Sequence, residues 1–377
     1  MQQVKNDWVL LWTTVGLTAF GLVMVYSASA YAGKRQYNFE FHFILRQLFF
    51  AALALTLMML VKKIDYRRLN TAAWAFGSIG VVVVLLLAVL ALGGRAHRFL
   101  RWGFLGMQPS ELAKPALILF LGYFVSRRAK AINNRHTLLP ASLTVGLLAI
   151  VVVIADLGTA VVLVVTAAVV FFLAGLAWRY VAMVLAVGLL AGVVAVAVKP
   201  YRLGRLIAFV DPQYEKLEHF EWGRKVKDYL SRSLHTRDPD YHLRQSKLAV
   251  ASGGLLGQGL TDGKQKLGYL PEAHTDFIFA VVGEELGLAG CTILLAAFVV
   301  ILVRGLKLAR IQEEFGRYVA IGVTTMVVVQ ALMNMSVVLG LAPTKGIPLP
   351  MISYGGSSLL STLVSLGLMM SVSEQAG

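Results

Sequence analysis

The sequence predicts an all-α polytopic membrane protein of about ten transmembrane helices, with a large extracytoplasmic loop between the seventh and the eighth. Three observations predict it. Of 377 residues, 58% are hydrophobic and only 15% charged, and the mean hydropathy is +0.72, whereas a soluble domain is about 45–50% apolar and 25% charged. Apolar runs of roughly 20 residues, the length that spans a ~30 Å hydrocarbon core, recur along the chain. The 35 Lys and Arg against 20 Asp and Glu, a formal charge of +15, sit in the loops between those runs. That placement points to topology and anionic membrane lipid rather than nucleic acid. The single cysteine, Cys291, lies in an apolar run and can form neither an intrachain disulfide nor, alone, a thiolate cluster.

The first run, 8–32, ends in Ser27-Ala28-Ser29-Ala30 and superficially resembles a cleaved signal peptide. Its apolar part is too long for a signal h-region and further spans follow, so it reads as the first helix. The others fall near 43–62, 71–93, 110–126, 138–155, 157–177, 180–198, 275–303, 318–340 and 354–373. One set of short loops carries Lys62, Lys63, Arg67 and Arg68, then Arg127, Arg128, Lys130 and Arg135, then Arg179, then Arg304, Lys307, Arg310 and Arg317. These should be cytoplasmic, which leaves both termini cytoplasmic and 199–274 outside. Residues 1–377 read as one integral membrane domain, with 199–274 its large outer loop. Mixed charge with Trp222 and Tyr229 around 215–240 reads as an amphipathic helical insertion at the membrane surface.

A charge at bilayer depth costs about 2.5–3.5 kcal/mol even on lenient insertion scales, so polar residues near span ends are informative. Four clusters stand out on the outer side. Arg98, Arg101 and Trp102 precede Gln108-Pro109-Ser110-Glu111-Leu112-Ala113-Lys114. Pro109 and Glu111 suit the first helical turn, and Glu111 and Lys114 lie three apart on one face. They read either as a cap with an ion pair or as a basic cavity receiving an anion such as pyrophosphate. Asp156-Leu157-Gly158-Thr159 reads as a tight turn capping the next helix or as part of the same lining. Gln265 through Phe277, with His274 and Asp276, closes the long loop, and Asp276 is either an N-cap or a functional carboxylate. Glu284 and Glu285 follow some 12–14 Å further along the helix at 1.5 Å per residue, and must be paired or protonated there. Pro343-Thr344-Lys345-Gly346 leads through Pro348 and Pro350 to Ser353-Tyr354-Gly355-Gly356-Ser357-Ser358, either a close-packing stripe or a polar lining.

There is no Walker-type phosphate loop, no H-E-x-x-H, no C-x-x-C and no G-x-S-x-G. The glycine-rich Gly254-to-Gly259 stretch has no preceding strand, so a dinucleotide site there is improbable.

At these clusters the sequence resembles the SEDS (shape, elongation, division and sporulation) family, its FtsW-type more than its RodA-type members. The residues carrying the resemblance are Arg101-Trp102, Gln108 to Lys114, Gln265 to Phe277, Gly283-Glu284-Glu285-Leu286-Gly287, and the blocks Pro343 to Gly346 and Ser353 to Ser358. Two features depart from the family pattern: Ile154-Ala155 before Asp156, and the insertion around 215–240. The resemblance implies a ten-helix peptidoglycan glycosyltransferase that polymerises lipid II at the outer face of the bacterial cytoplasmic (inner) membrane during cell division. It also implies a class B penicillin-binding protein and other division or elongation proteins as partners. The family's essential aspartate falls on Asp276. Candidates for substrate binding are Arg101, Lys114, Glu111, Lys345, Ser353, Asp156 and His274. No cofactor is assigned, a divalent cation is left open, and no resident metal site is expected.

The expected reaction joins the 4-hydroxyl of a GlcNAc to the anomeric carbon of MurNAc, with inversion and loss of undecaprenyl pyrophosphate. Asp276 would serve as general base, while Arg101, Lys114 and Lys345 offset the leaving-group charge and Glu111 positions Lys114. The rival readings are a transporter that flips the lipid-linked precursor and a non-catalytic division scaffold.

Overall fold

The computed structural model describes residues 7–92, 99–102, 105–197, 207, 241–311, 313–343 and 345–375. The amphipathic helix expected at 215–240 lies outside the described residues. Eleven α-helices and one short β-hairpin are described. The helices are α1 (Trp8–Tyr37), α2 (His42–Lys63), α3 (Ala72–Leu92), α4 (Pro109–Arg128), α5 (Arg135–Ala155), α6 (Leu157–Leu173), α7 (Trp178–Ala197), α8 (Tyr241–Ser252), α9 (Ile278–Ile311), α10 (Glu314–Val338) and α11 (Gly356–Glu374). A helix stands at each of the ten places where the sequence predicts a span. Seven are long and apolar enough to cross a membrane. Among the others, α4 carries Glu111, Lys114, Arg127 and Arg128, and α6 has only 17 residues. The chain is an integral membrane protein.

Local chemistry sets the helix ends. The Asp7 carboxylate accepts the Leu10 N–H at 3.0 Å and caps α1, Asn134 caps α5, and Pro109 opens α4, where a missing N–H costs nothing. α10 and α11 form the buried centre, and α2, α3 and α9 present mostly exposed apolar faces, as lipid contact requires. α11 packs chiefly on α2, and α10 on α4, α6 and α9. The centre is rich in small hydroxylated residues: Ser361, Thr362, Ser365, Ser371 and Ser373 are all buried in α11. They allow close helix approach where there is no hydrophobic drive between helices in lipid.

Two polar ties hold α1 antiparallel to α9. At one end Arg304 Nε donates to Asp7 Oδ2 at 2.7 Å. At the other, Ser27 Oγ donates to both Glu285 oxygens at 2.6 and 2.8 Å, and Lys266 pairs with Glu285 and donates to Ser27 Oγ at 2.7 Å. Lys62, Lys63, Arg127 and Arg128 lie in the last turns of α2 and α4 at the Asp7 end, with Lys62 over the Trp8 ring. This is the basic end of the bundle.

α9 is broken at Gly287, whose φ of 62 lies outside helical space. The glycine-rich stretch fills the break: Gln258 and Gly259 N–H donate to the Glu284 and Glu285 carbonyls at 3.0 and 3.1 Å, and Leu288 N–H to Gly254 O at 2.9 Å. A Cβ on Gly257 or Gly287 would overlap the facing backbone. These glycines therefore serve backbone approach between two segments of the chain. Glu284 accepts the Lys264 and Gln265 N–H groups at 2.8 and 3.1 Å. Both adjacent carboxylates are thus satisfied, one by a cation and hydroxyl, the other by backbone donors.

Candidate functional site

The site lies at the end of the bundle away from Asp7, where the 343–353 loop crosses the turn before α9. Three prolines keep the loop from collapsing into helix, so its backbone polar groups need partners supplied by neighbours. α10 supplies two. Gln330 and Asn334 are four apart and share a face. Gln330 Nε2 donates to Pro348 O at 2.8 Å, and Asn334 Nδ2 to Ile347 O and Asp276 O, each at 2.7 Å. Asn334 thereby joins the loop to the Asp276 turn. Ser353 adds a second joint: its Oγ donates to Thr275 O at 2.6 Å and accepts the Leu349 N–H at 2.8 Å. Tyr354 N–H donates to His274 O at 2.8 Å. From α2, Gln47 donates to Ser353 O at 3.2 Å and accepts from Gly355 N–H at 3.1 Å.

This stitching brings the Asp276 carboxylate against the backbone of Gly346, where any Cβ would overlap Oδ2. The neighbouring Lys345 has its Nζ 3.5 Å from Asp156 Oδ1. Asp156 also caps α6, accepting from Gly158 N–H at 3.0 Å and the Thr159 hydroxyl at 2.9 Å. Asp156 therefore caps α6 while also lying beside Lys345. Two carboxylates thus meet the loop at adjacent residues, Asp276 at Gly346 and Asp156 at Lys345, and the Lys345 side chain keeps 29% exposure while that of Asp156 keeps 3%. Thr344 lies outside the described residues.

Glu111 and Lys114 stand one layer behind. Lys114 Nζ donates to Glu111 Oε2 and Gln330 Oε1, both at 2.7 Å, and the pair is 1% and 3% exposed. Ser361 Oγ donates to the Glu111 carbonyl at 2.8 Å. Lys114 thus touches the loop through Gln330, whereas the Lys345 side chain stays partly open. Arg101 lies in β1 (Leu100–Trp102), its backbone opposite Gly106 of antiparallel β2 (Leu105–Met107). β2 runs into Gln108, whose N–H donates to Ser357 Oγ at 3.0 Å.

His274 is packed against Phe43 at 4.6 Å and Tyr354 at 5.6 Å between ring centroids. Burial holds its imidazole below the usual histidine range, with Glu272 opposing. A neutral ring at His274 suits an apolar seat beside the Asp276 turn.

Sequence reasoning passed over Gln47, Gln330 and Asn334, which do most of the stitching. Their signal was present as isolated carboxamides in otherwise apolar spans, a costly placement that implies a buried partner. Ser27 and Lys266 were likewise missed as the partners of Glu285.

A family model described as a cell cycle protein, covering FtsW, RodA and SpoVE, matches residues 8–377. A Geobacter sulfurreducens protein named probable peptidoglycan glycosyltransferase FtsW is 38% identical over 98% of this chain and 96% of its own length. The stage V sporulation protein E of Bacillus subtilis is 35% identical over 99% and 98%. A chain from a solved peptidoglycan synthase complex, described as coordinating polymerization and crosslinking, superposes with a TM-score of 0.73 at 29% identity, covering 98% of each chain. The rod shape determining protein RodA of Thermus thermophilus gives 0.65 at 27% identity, covering 98% and 97%. With the family model matched over nearly its whole length, this chain belongs to the FtsW/RodA/SpoVE, or SEDS, family of cell cycle proteins.

Proposed function

We propose that the protein is a peptidoglycan glycosyltransferase that polymerises lipid II, with Asp276 as general base. The observation that carries this is the contact between the Asp276 carboxylate and the Gly346 backbone, with Lys345 beside it reaching Asp156. A base and a cation are thereby held side by side, one on the turn before α9 and one on the braced 343–353 loop, the pairing that expulsion of a pyrophosphate requires. Asp276 accepts the proton of the acceptor 4-hydroxyl as that oxygen bonds to the anomeric carbon of the donor sugar. The electron pair of the broken bond leaves with undecaprenyl pyrophosphate, whose charge Lys345 and Arg101 offset, and the configuration inverts. Asp276 then returns the proton to solvent. Lys114, enclosed by Glu111 and Gln330, holds the loop in place.

All ten predicted spans cross the membrane in this reading, with the basic end cytoplasmic. Ser27 stands twenty residues beyond Asp7 on α1, and Glu285 nineteen before Arg304 on α9. At 1.5 Å per residue the α1 interval is about 30 Å, the hydrocarbon thickness. The ties then mark the two membrane boundaries, and Asp276 lies near the outer one, its turn held to Asn334 of α10 and, through Ser353, to Gln47 of α2. That is the level of a sugar carried on an interfacial pyrophosphate. The named complex among the solved neighbours supports a cross-linking transpeptidase, a class B penicillin-binding protein, as partner.

The test is polymerisation of lipid II by purified protein with its partner. Asp276→Asn, correctly inserted, should lose about a hundred-fold or more in rate, the usual contribution of a general base. A near wild-type rate would remove Asp276 from the reaction. Transport of lipid II without any glycan product would favour the flippase reading.

A further inference from the structure

Asp156 carries more charge than its local task needs. It is the one residue between α5 and α6, and it serves both helix ends. Its N–H donates to Val152 O at 2.6 Å, closing α5. Its side chain opens α6 by accepting from Gly158 N–H at 3.0 Å and from the Thr159 hydroxyl at 2.9 Å. Asparagine or serine caps a helix about as well as aspartate does, so the cap requires an oxygen acceptor and not a negative charge. That charge is nevertheless enclosed, with the side chain 3% exposed, and an enclosed carboxylate needs a cation. The cation it meets is Lys345, whose Nζ stands 3.5 Å from Oδ1.

The two partners differ in freedom. Asp156 is tied to two helix ends, and two residues on Gly158 packs so closely on Ile347 that a Cβ there would overlap the isoleucine side chain. Ile347 O is in turn held by Asn334, so the anion is fixed relative to the 343–353 loop. Lys345 ends a flexible four-carbon stem with three donors, and its side chain is 29% exposed. Both Asp156 oxygens already accept a bond from α6, and 3.5 Å is beyond ordinary hydrogen-bond length. The attraction is therefore mainly of charge for charge. An arriving pyrophosphate, with more negative charge and unengaged oxygens, draws the ammonium away, and the aspartate takes it back when that anion departs.

We propose that Asp156 is the resting counter-ion of Lys345 and sets how tightly the site holds a polyprenyl pyrophosphate, so that the spent carrier leaves after each sugar addition. The proposal rests on the glycosyltransferase reading and adds to it the control of product release. Each addition leaves a pyrophosphate beside the cation that stabilised its departure. Unopposed, the same attraction would retain the product, and release sets the turnover of many enzymes. Competition from a fixed carboxylate weakens the hold on substrate and product alike. The charge that develops on the leaving group as its bond breaks still recruits the ammonium. Asp156 is thus a positioning residue that acts through Lys345 rather than on the reacting atoms.

The test uses the full chain in nanodiscs, with farnesyl pyrophosphate, a soluble polyprenyl pyrophosphate, as probe. Asp156→Asn keeps an oxygen for the Gly158 N–H and an amide for the Thr159 hydroxyl, so its melting temperature should stay near that of the wild type. Removing the charge should tighten farnesyl pyrophosphate binding about ten-fold, equivalent to about 1.4 kcal/mol. It should also lower KM for lipid II and kcat together, the pattern of a ground state held too well. In a Lys345→Gln background the same Asp156→Asn change should leave binding unaltered, because the coupling runs through that ammonium. Unchanged, weaker or absent binding in Asp156→Asn overturns the counter-ion role, and so does equal tightening with and without Lys345. If the wild-type protein makes no strand from lipid II, the glycosyltransferase reading fails, and the binding comparison still decides whether Asp156 restrains Lys345.

Discussion

Ser27 of α1 and Glu285 of α9 are joined by two hydrogen bonds at the end of the bundle opposite the Asp7–Arg304 pair. Lys266 completes the tie from the segment that leads to Asp276. One buried carboxylate therefore anchors both the first helix and the approach to the candidate base.

Glu285→Gln should destabilise the protein by about 3 kcal/mol, because Lys266 would keep a buried charge without its counterion. Thermal unfolding in detergent measures this. A double change of Glu285→Gln with Lys266→Met should recover part of the loss. Equal losses in the single and double variants would mean that the pair contributes no coupling.

Lys114→Met leaves Glu111 as an uncompensated buried anion and takes the donor away from Gln330. A cost of about 3–5 kcal/mol is expected, with much less when Glu111→Leu accompanies it. Because Gln330 also holds Pro348 O, the surviving folded protein should show a reduced polymerisation rate. An unchanged melting temperature in the single variant would contradict the enclosed geometry.

Gly346→Ala places a methyl group where the Asp276 carboxylate now lies. The carboxylate must shift, and displacement by about 1 Å in a positioned catalytic group can cost up to a hundred-fold in rate. Expression and melting temperature should change little, since the loop is braced on either side of this residue. Wild-type turnover in Gly346→Ala would show that the close approach is incidental.

His274 should make stability fall on acidification. Its folded-state proton affinity is lowered chiefly by burial, so the unfolded chain binds the proton more readily. Its contribution is therefore fully present above the unfolded value of about 6.5 and is lost as pH falls from there toward the lower folded value. His274→Phe keeps a ring between Phe43 and Tyr354 and should flatten that part of the stability profile. Melting temperatures taken between about pH 7.5 and pH 5 compare the two. Identical profiles would place the acid sensitivity elsewhere.

Much of this was legible in the sequence, and for a definite reason. Membrane crossing needs roughly 20 apolar residues in a row, a local property, so the ten helix positions could be read directly. The clusters were legible too, because a polar residue near an apolar span is costly enough to stand out: Glu111 with Lys114, Asp156, Asp276 and Lys345 all proved to have buried or braced settings. The pairing of Glu284 and Glu285 with some partner followed from the same cost.

The identity of those partners did not. Glu285 with Ser27 spans 258 positions, and Gln330 reaches Lys114 across 216. Nothing local distinguishes Lys114, enclosed by Glu111 and Gln330, from Lys345, left partly open, although both are lysines near the start of a helix or the end of a loop. Which cation faces a ligand is decided by how α4, α10 and the 343–353 loop pack, since burial belongs to the assembled bundle. Sequence by itself determined where the helices lie and which charges had to be answered. Only the tertiary structure decided which group answers each, because that depends on contacts between segments far apart along the chain.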